Sequence, residues 1–198
     1  LRRVAVLAMV AAAAMAMVPS LVLVFAAIAV VLGIASLLAG AGWQTAGWFT
    51  GTGLVACAVA VVLNLPWSGG WTWNELGATP LAGEYGWTIA EIVTFDIGGG
   101  ELAVLTLALY VPVVAGLLLA RAWRLTWTAR AAGLVVVFAA IAALVDRDAL
   151  PIRVPEIGVL LVPVALGLAL TAACAVASFA ADVAGGTFGW RQPVGLVT

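Results

Sequence analysis

The sequence predicts an all-α fold: a polytopic transmembrane helix bundle of about six spans, with one longer extracytoplasmic loop. Hydrophobic residues make up 66% of the chain, and its mean hydropathy is +1.24. The apolar residues form blocks of about 15 to 25, and the charged residues gather in the gaps between them. Because an ionisable group near the centre of a bilayer costs a few kcal/mol, charges confined to the gaps indicate helices that cross lipid.

The first apolar stretch is too long for a single crossing. Its length of about 36 residues corresponds to a helix of about 54 Å, whereas the hydrocarbon core is about 30 Å thick. Pro19 divides the stretch, because the residue before a proline is pushed out of helical geometry. We therefore predict two helices, 3–18 and 20–39, joined by a tight turn.

Four further spans are predicted at 44–64, 101–120, 129–145 and 156–179. Asn64 and Pro66 mark the end of the third span, and three consecutive glycines precede the fourth. The sixth begins at Pro155-Glu156, where a proline suits the first helical turn and a carboxylate suits the positive end of the helix dipole. Segment 65–100 is then the longer loop.

The placement of arginine predicts the orientation of the bundle. Arg121, Arg124 and Arg130 fall in one short predicted gap with no acid near them, which is the strongest positive-inside signal in the chain. With that gap in the cytoplasm, loop 65–100, which holds four acids and no arginine, lies outside. Both ends of the chain are then cytoplasmic, and the protein is expected in the cell membrane.

The chain, residues 1–198, is interpreted as a single transmembrane helical domain cut from a longer protein. It begins at Leu1 rather than at a methionine, and its last residues read like the approach to another apolar stretch. A cleaved signal peptide is the competing interpretation of the amino end. It is less favoured because further spans follow the first apolar block, where a secreted protein would continue as a soluble domain.

The longer loop and the start of the fourth span hold the candidate binding residues. The tryptophans form either an aromatic belt in the headgroup layer, which we favour, or a platform for a sugar or lipid. The carboxylates are either a solvated face with a helix cap, which we favour, or a cation site or acid–base pair. The candidate outer-surface contacts to an acceptor are Trp71, Trp73, Trp87, Glu91, Asp96 and Glu101.

No catalytic, cofactor-binding or metal-ligating motif is recognised in the sequence. The chain has no histidine, so a nucleophile paired with a histidine base is excluded. Cys57 and Cys174 each lie inside an apolar block and are interpreted as small packing residues. Without a basic stripe, nucleic acid is not an expected partner, and the lipid bilayer is.

Two further patterns concern the helices themselves. Pro112 and Pro163 are expected to kink their spans, and their similar surroundings hint at a duplicated helix, as transporters often show. Small residues recurring every four positions predict a face for close helix packing in the last span. These residues are Ala165, Ala169, Ala173, Ala177 and Ala181.

The second half of the chain resembles a known family. The motifs are Pro155-Glu156-Ile157-Gly158-Val159-Leu160-Leu161-Val162-Pro163 through Ala177-Ser178-Phe179, and then Phe188-Gly189-Trp190-Arg191-Gln192-Pro193. Segments 91–96 and 123–127 are similar as well. Together they resemble the carboxyl-terminal membrane region of large family 2 glycosyltransferases of high-GC Gram-positive bacteria, in which a cytosolic GT-A catalytic domain precedes many spans.

The resemblance implies transfer of a sugar from an activated donor to a lipid-linked or cell-envelope acceptor. Asp146-Arg147-Asp148 matches the spelling of the family's metal motif, but it falls on the predicted outer side, away from cytosolic nucleotide sugar. We therefore expect a non-catalytic membrane domain that anchors a cell-envelope glycosyltransferase and guides a lipid-linked glycan acceptor. The alternatives are a transporter or flippase subunit for an envelope precursor, and a purely structural scaffold.

Overall fold

A computed structural model of the protein describes residues 2–72, 76, 107–120, 123–146 and 155–185, which contain six α-helices and no β-strand. The helices are α1 (Arg2–Met17), α2 (Leu21–Leu38), α3 (Gly42–Leu63), α4 (Val111–Leu119), α5 (Trp123–Asp146) and α6 (Ile157–Gly185). Short 3-10 helices occupy Trp67–Gly70 and Leu107–Tyr110. The predicted all-α fold class is confirmed.

Four helices of the described chain are long and apolar enough to cross a membrane. They are Leu21–Leu38, Gly42–Leu63, Trp123–Val145 and Ile157–Ala181. The apolar helix α1 has 16 residues and is therefore about 24 Å long, somewhat less than the hydrocarbon core. The outward faces carry many exposed large apolar side chains, which a lipid environment accepts and water does not. The chain is therefore a membrane protein.

The helix boundaries near the amino end follow from local chemistry. α1 ends at Met17 and α2 begins at Leu21, so Pro19 divides the first apolar stretch as predicted. After α2, the Gly40 N–H donates to the Leu37 carbonyl (2.9 Å) and the next N–H, of Ala41, donates to the Ser36 carbonyl (2.9 Å). These two bonds form a Schellman motif, with Gly40 in the left-handed region at φ +74°.

Helix α5 lies at the centre of the larger part of the bundle, against α6, α2 and α4. Its contacts with α2 and α6 enclose the main apolar core, called here the α2–α5–α6 cluster. The buried members are Val24, Val31, Leu134, Val135, Phe138, Ala142, Leu160, Val164 and Leu168. A second group, the α1–α3 cluster, consists of Ala11, Met15, Cys57 and Ala60. Both cysteines of the chain are buried and free, as predicted for packing residues.

The predicted start of the fifth span is wrong. α5 begins at Trp123 rather than at residue 129, so Arg124 lies on the helix and not in a gap, and Arg130 lies in the second turn rather than at the boundary. The polar residues of this segment fit a helix because their hydroxyls bond to its own backbone. Thr126 Oγ1 donates to the carbonyl of Trp123 (2.7 Å), and Thr128 Oγ1 donates to that of Arg124 (2.9 Å).

Pro112 does not kink a continuous helix as predicted. It is the second residue of α4, which follows the 3-10 helix Leu107–Tyr110, and at that position no intrahelical bond needs its missing amide. Pro163 does lie inside a helix, α6, as predicted. The part of the predicted fourth span before residue 107 lies outside the described residues.

The predicted alanine packing face is also wrong, because all five alanines are exposed on the described α6. Close packing instead uses glycines. A Cβ at Gly167 would lie 2.7 Å from the Ala131 carbonyl oxygen, and one at Gly116 would lie 2.9 Å from Thr128 Cγ2. These glycines, each four residues after Pro112 or Pro163, let α4 and α6 approach α5 closely.

Candidate functional site

The structure places one of the six predicted outer-surface contacts. Trp71 is half-buried, follows the 3-10 helix Trp67–Gly70, and packs against the α1–α3 cluster. Part of its indole therefore serves packing between helices. The other five residues lie outside the described part of the chain, so their role as acceptor contacts stays a prediction: Trp73, Trp87, Glu91, Asp96 and Glu101.

The most unusual side chain of the described bundle is Arg130. It is the eighth residue of α5, one of the four helices able to span a membrane, and only 5% of its surface is exposed. Charged side chains within spans are costly, and they generally face the bundle interior and mark functional positions. A buried guanidinium in a membrane-spanning helix therefore marks the candidate functional site of the described bundle.

Two aromatic rings form a corner around this guanidinium. Its Cζ lies 4.4 Å from the ring centroid of Phe49 on α3 and 4.8 Å from that of Trp127 on α5. The two rings are nearly perpendicular, with centroids 6.1 Å apart and an interplanar angle of 89°. Both distances fall within the range of cation–π attraction, which is worth about 0.5–2 kcal/mol per contact.

A hydrogen bond fixes the guanidinium from the side of α2. Arg130 Nε donates to Ser36 Oγ (2.8 Å), and the Ser36 hydroxyl donates onward to the Leu32 carbonyl oxygen (2.6 Å). Ser36 is fully buried. We call Ser36, Phe49, Trp127 and Arg130 the Arg130 site; it joins α2, α3 and α5 at one end of the bundle.

Most of the hydrogen-bonding capacity of Arg130 remains unused in this site. A guanidinium has five N–H donors, and the bond to Ser36 uses the one on Nε. Among the side chains that the structure describes, Ser36 is the hydrogen-bond partner of Arg130, and no carboxylate is paired with the guanidinium. The remaining four donors form a planar fork, which matches the oxygens of a carboxylate or phosphate.

Arg124 provides a contrast on the same helix. Its side chain is half-buried, its Cζ lies 5.9 Å from the Trp123 ring centroid, and its Nη1 donates to the Ala177 carbonyl at 3.4 Å in an exposed position. This arrangement is that of a surface arginine near the headgroup layer. Six residues along α5 thus separate a solvent-side cation from an enclosed one.

Exposed tryptophans mark this end of the bundle. Trp43 and Trp48 are exposed near the start of α3, and Trp123 is exposed at the start of α5. Since indole rings favour the boundary between hydrocarbon and headgroups, these three side chains place the membrane surface close to the Arg130 site. The predicted aromatic belt concerned the other end of α3, around Trp67 and Trp71.

The sequence does not reveal the Arg130 site, because Arg130 lies at the boundary between a predicted arginine-rich gap and the predicted fifth span. One signal was available: Trp127 and Arg130 are three residues apart, and residues at that spacing share a helix face. The partner Ser36 is 94 residues away along the chain, and no local pattern links the two.

The chemistry open to this site is recognition of an anion. Within the described ranges, no group of three or more His, Cys, Asp or Glu side chains lies close enough to hold a metal ion. The Ser36 hydroxyl accepts a hydrogen bond from the guanidinium and donates one to a backbone carbonyl, and neither group can act as a base toward it.

Comparisons with protein-family models, curated proteins and solved structures find no match to this chain.

Proposed function

We propose that this chain is a non-catalytic membrane domain that anchors a cell-envelope glycosyltransferase and guides its lipid-linked acceptor. The glycosyltransferase part of the proposal rests on the resemblance of residues 155–193 to that family. The anchoring part is supported by the four helices long enough to cross a bilayer. We also propose the cell membrane as the location, with both ends of the chain in the cytoplasm.

The observation that carries the guiding role is an apolar groove between α2 and α5. Its volume is about 370 Å³, and its lining exposes no polar surface. A groove of this kind on a lipid-facing surface suits the hydrocarbon chain of a membrane-bound substrate better than a sugar. Its lining residues include Ala27, Val31, Ile34, Leu38, Gly133 and Val137.

A transporter or flippase subunit is the second candidate, favoured by the buried Pro163 inside α6, where a helix loses a backbone hydrogen bond and can bend. Transport of a sugar needs a polar path. Of the five fully buried hydroxyls in the described interior, those of Ser36, Thr128 and Thr171 donate to carbonyls of their own helices, and those of Ser20 and Ser178 have no hydrogen-bond partner there. Among the described residues, no polar side chain links these hydroxyls into a path. The groove therefore favours the guiding role over transport.

The test uses the full native protein in membranes, with radiolabelled activated sugar as donor. Ile34→Trp fills the groove from an exposed position on α2, and Val136→Trp adds the same bulk to an exposed position on α5 outside the groove lining. We expect Ile34→Trp to lower the rate of sugar transfer to the lipid-linked acceptor about tenfold. When the indole keeps the acceptor's hydrocarbon chain out of the groove, the effective concentration of the acceptor at the enzyme falls. Val136→Trp should retain normal transfer.

Two controls separate guiding from anchoring. Transfer to a short water-soluble acceptor should be the same in both variants, and deletion of residues 1–198 should release the enzyme from the membrane fraction. Equal transfer to the lipid-linked acceptor by Ile34→Trp and the intact protein would contradict the guiding role. An enzyme that stays membrane-bound after the deletion would contradict the anchoring role, and an intact protein without sugar transfer would contradict both.

A further inference from the structure

We propose that the Arg130 site binds the phosphate group of a membrane lipid at the surface marked by Trp43, Trp48 and Trp123. The proposal concerns a different place from the apolar groove, because no member of the Arg130 site belongs to the lining of the groove. It does not depend on the glycosyltransferase proposal. An anchor, a transporter or a scaffold could all use such a site.

The first argument is charge. Burial of an unpaired cation is strongly unfavourable, and aromatic rings with one hydroxyl compensate only part of that cost. The acidic side chain that the structure describes, Glu156, precedes α6 at the opposite end of the α5–α6 pair, since Arg124 near the start of α5 contacts Ala177 near the end of α6. An anion from outside the described part of the chain would neutralise the positive charge of Arg130.

The second argument is geometry. Ser36 and the corner of Phe49 and Trp127 hold the guanidinium in one orientation before any ligand binds. A guanidinium fixed in this way offers its terminal amino groups as a preorganised fork, so little side-chain entropy remains to be lost on binding. Two parallel N–H···O bonds to phosphate oxygens match that fork.

The third argument is depth. Arg130 follows Trp123 by seven residues, about 10 Å along the helix axis. Helix side chains lean toward the amino end, and the guanidinium contacts the ring of Trp127, whose Cα lies three residues, about 4.5 Å, nearer the surface. The guanidinium therefore lies less than about 10 Å below the level of Trp123, a depth from which a long arginine side chain reaches the headgroup layer.

The test measures binding of phosphatidic acid to the purified full chain in detergent by native mass spectrometry. We expect one tightly held lipid, and an affinity about tenfold or more lower in Arg130→Gln, since a hydrogen bond to a charged group is worth at least that factor. Arg124→Gln is the matched control, with the same substitution on the same helix end, and it should stay within about twofold of wild type.

A conservative variant distinguishes the fork from the charge. Arg130→Lys keeps a positive charge in the bundle but loses the bidentate geometry, so its affinity should fall between those of wild type and Arg130→Gln. The helical circular dichroism of each variant is recorded beside binding. If Arg130→Gln does not fold, Arg130→Lys against Arg124→Lys decides, and equal binding by these two overturns the proposal.

Two further probes identify the source of the phosphate. Diacylglycerol has the same tails without the phosphate and should not bind at this site, whereas inorganic phosphate should compete with phosphatidic acid. Binding of diacylglycerol equal to that of phosphatidic acid would overturn the proposal, as would equal losses in the Arg124 and Arg130 glutamine variants. Binding of inorganic phosphate without any binding of phosphatidic acid would overturn the lipid as the source.

Discussion

The two apolar clusters of the bundle solve the same problem in different ways. The α2–α5–α6 cluster consists mainly of branched aliphatic side chains together with the ring of Phe138. The α1–α3 cluster consists of Met15 and three small residues, and beside it the buried Asn64 Nδ2 donates to the carbonyls of Ala12 (3.1 Å) and Ala60 (2.9 Å). Lipid tails are as apolar as leucine, so burial alone does not drive helices together. One cluster relies on shape, the other on an amide.

Phe138→Ala should be the most damaging change and should break the cluster that relies on shape. The ring is 1% exposed, and its loss leaves a cavity whose lining atoms lose their contacts. We expect a loss of about 3 kcal/mol in the free energy of unfolding. The measurement is unfolding in mixed detergent, followed by circular dichroism. Val136→Ala, at a position 65% exposed, is the control, and equal losses in the two variants would contradict a packed core at Phe138.

Gly167→Ala tests how close the helices in the same cluster must be. The added Cβ would lie 2.7 Å from both the Ala131 carbonyl oxygen and Val135 Cγ2, so α5 and α6 must separate. We expect a cost of about 1–3 kcal/mol. Gly158→Ala on the same helix meets nothing within 4 Å and should be neutral or slightly stabilising. The same unfolding assay applies, and a stabilised Gly167→Ala would refute close packing there.

Asn64→Ala should have the smallest effect and tests the cluster that relies on an amide. The substitution removes the side-chain bond that joins α3 to α1 but leaves the two carbonyls in their helices. Interhelical hydrogen bonds in membranes average about 0.6 kcal/mol, with a maximum near 1.7, so we expect about 1 kcal/mol. Gln44→Ala, which removes an exposed amide near the start of α3, should show no change. A cost above that of Phe138→Ala would reverse the contrast between the clusters.

Much of the fold could be predicted from the sequence because hydropathy and proline act locally. The division at Pro19 and the spans of α2, α3 and α6 follow from such local signals. The start of α5 could not be predicted in this way, because the segment Trp123–Arg130 is polar enough to resemble a gap. The hydroxyls of Thr126 and Thr128 donate to carbonyls of their own helix, and Arg130 donates a hydrogen bond to Ser36 on α2.

The Arg130 site could not be predicted from the sequence for a related reason. Ser36, Phe49 and Arg130 come from three helices, and only the packing of the bundle brings them together. The alanine spacing in α6 has the opposite problem: the pattern is present, but glycine contacts and not alanine contacts decide which face turns inward. In a chain so rich in alanine, periodicity carries little information about orientation.

The Schellman motif after α2 has a consequence for work on this protein. The backbone carbonyl of Ser36 accepts a hydrogen bond from the Ala41 N–H in this motif, and the hydroxyl of Ser36 accepts one from Arg130 Nε. The three-residue connection between α2 and α3 and the buried Arg130 side chain therefore both depend on the position of Ser36. An epitope tag or fluorophore placed between α2 and α3 would disturb the interior, however harmless a short exposed connection looks.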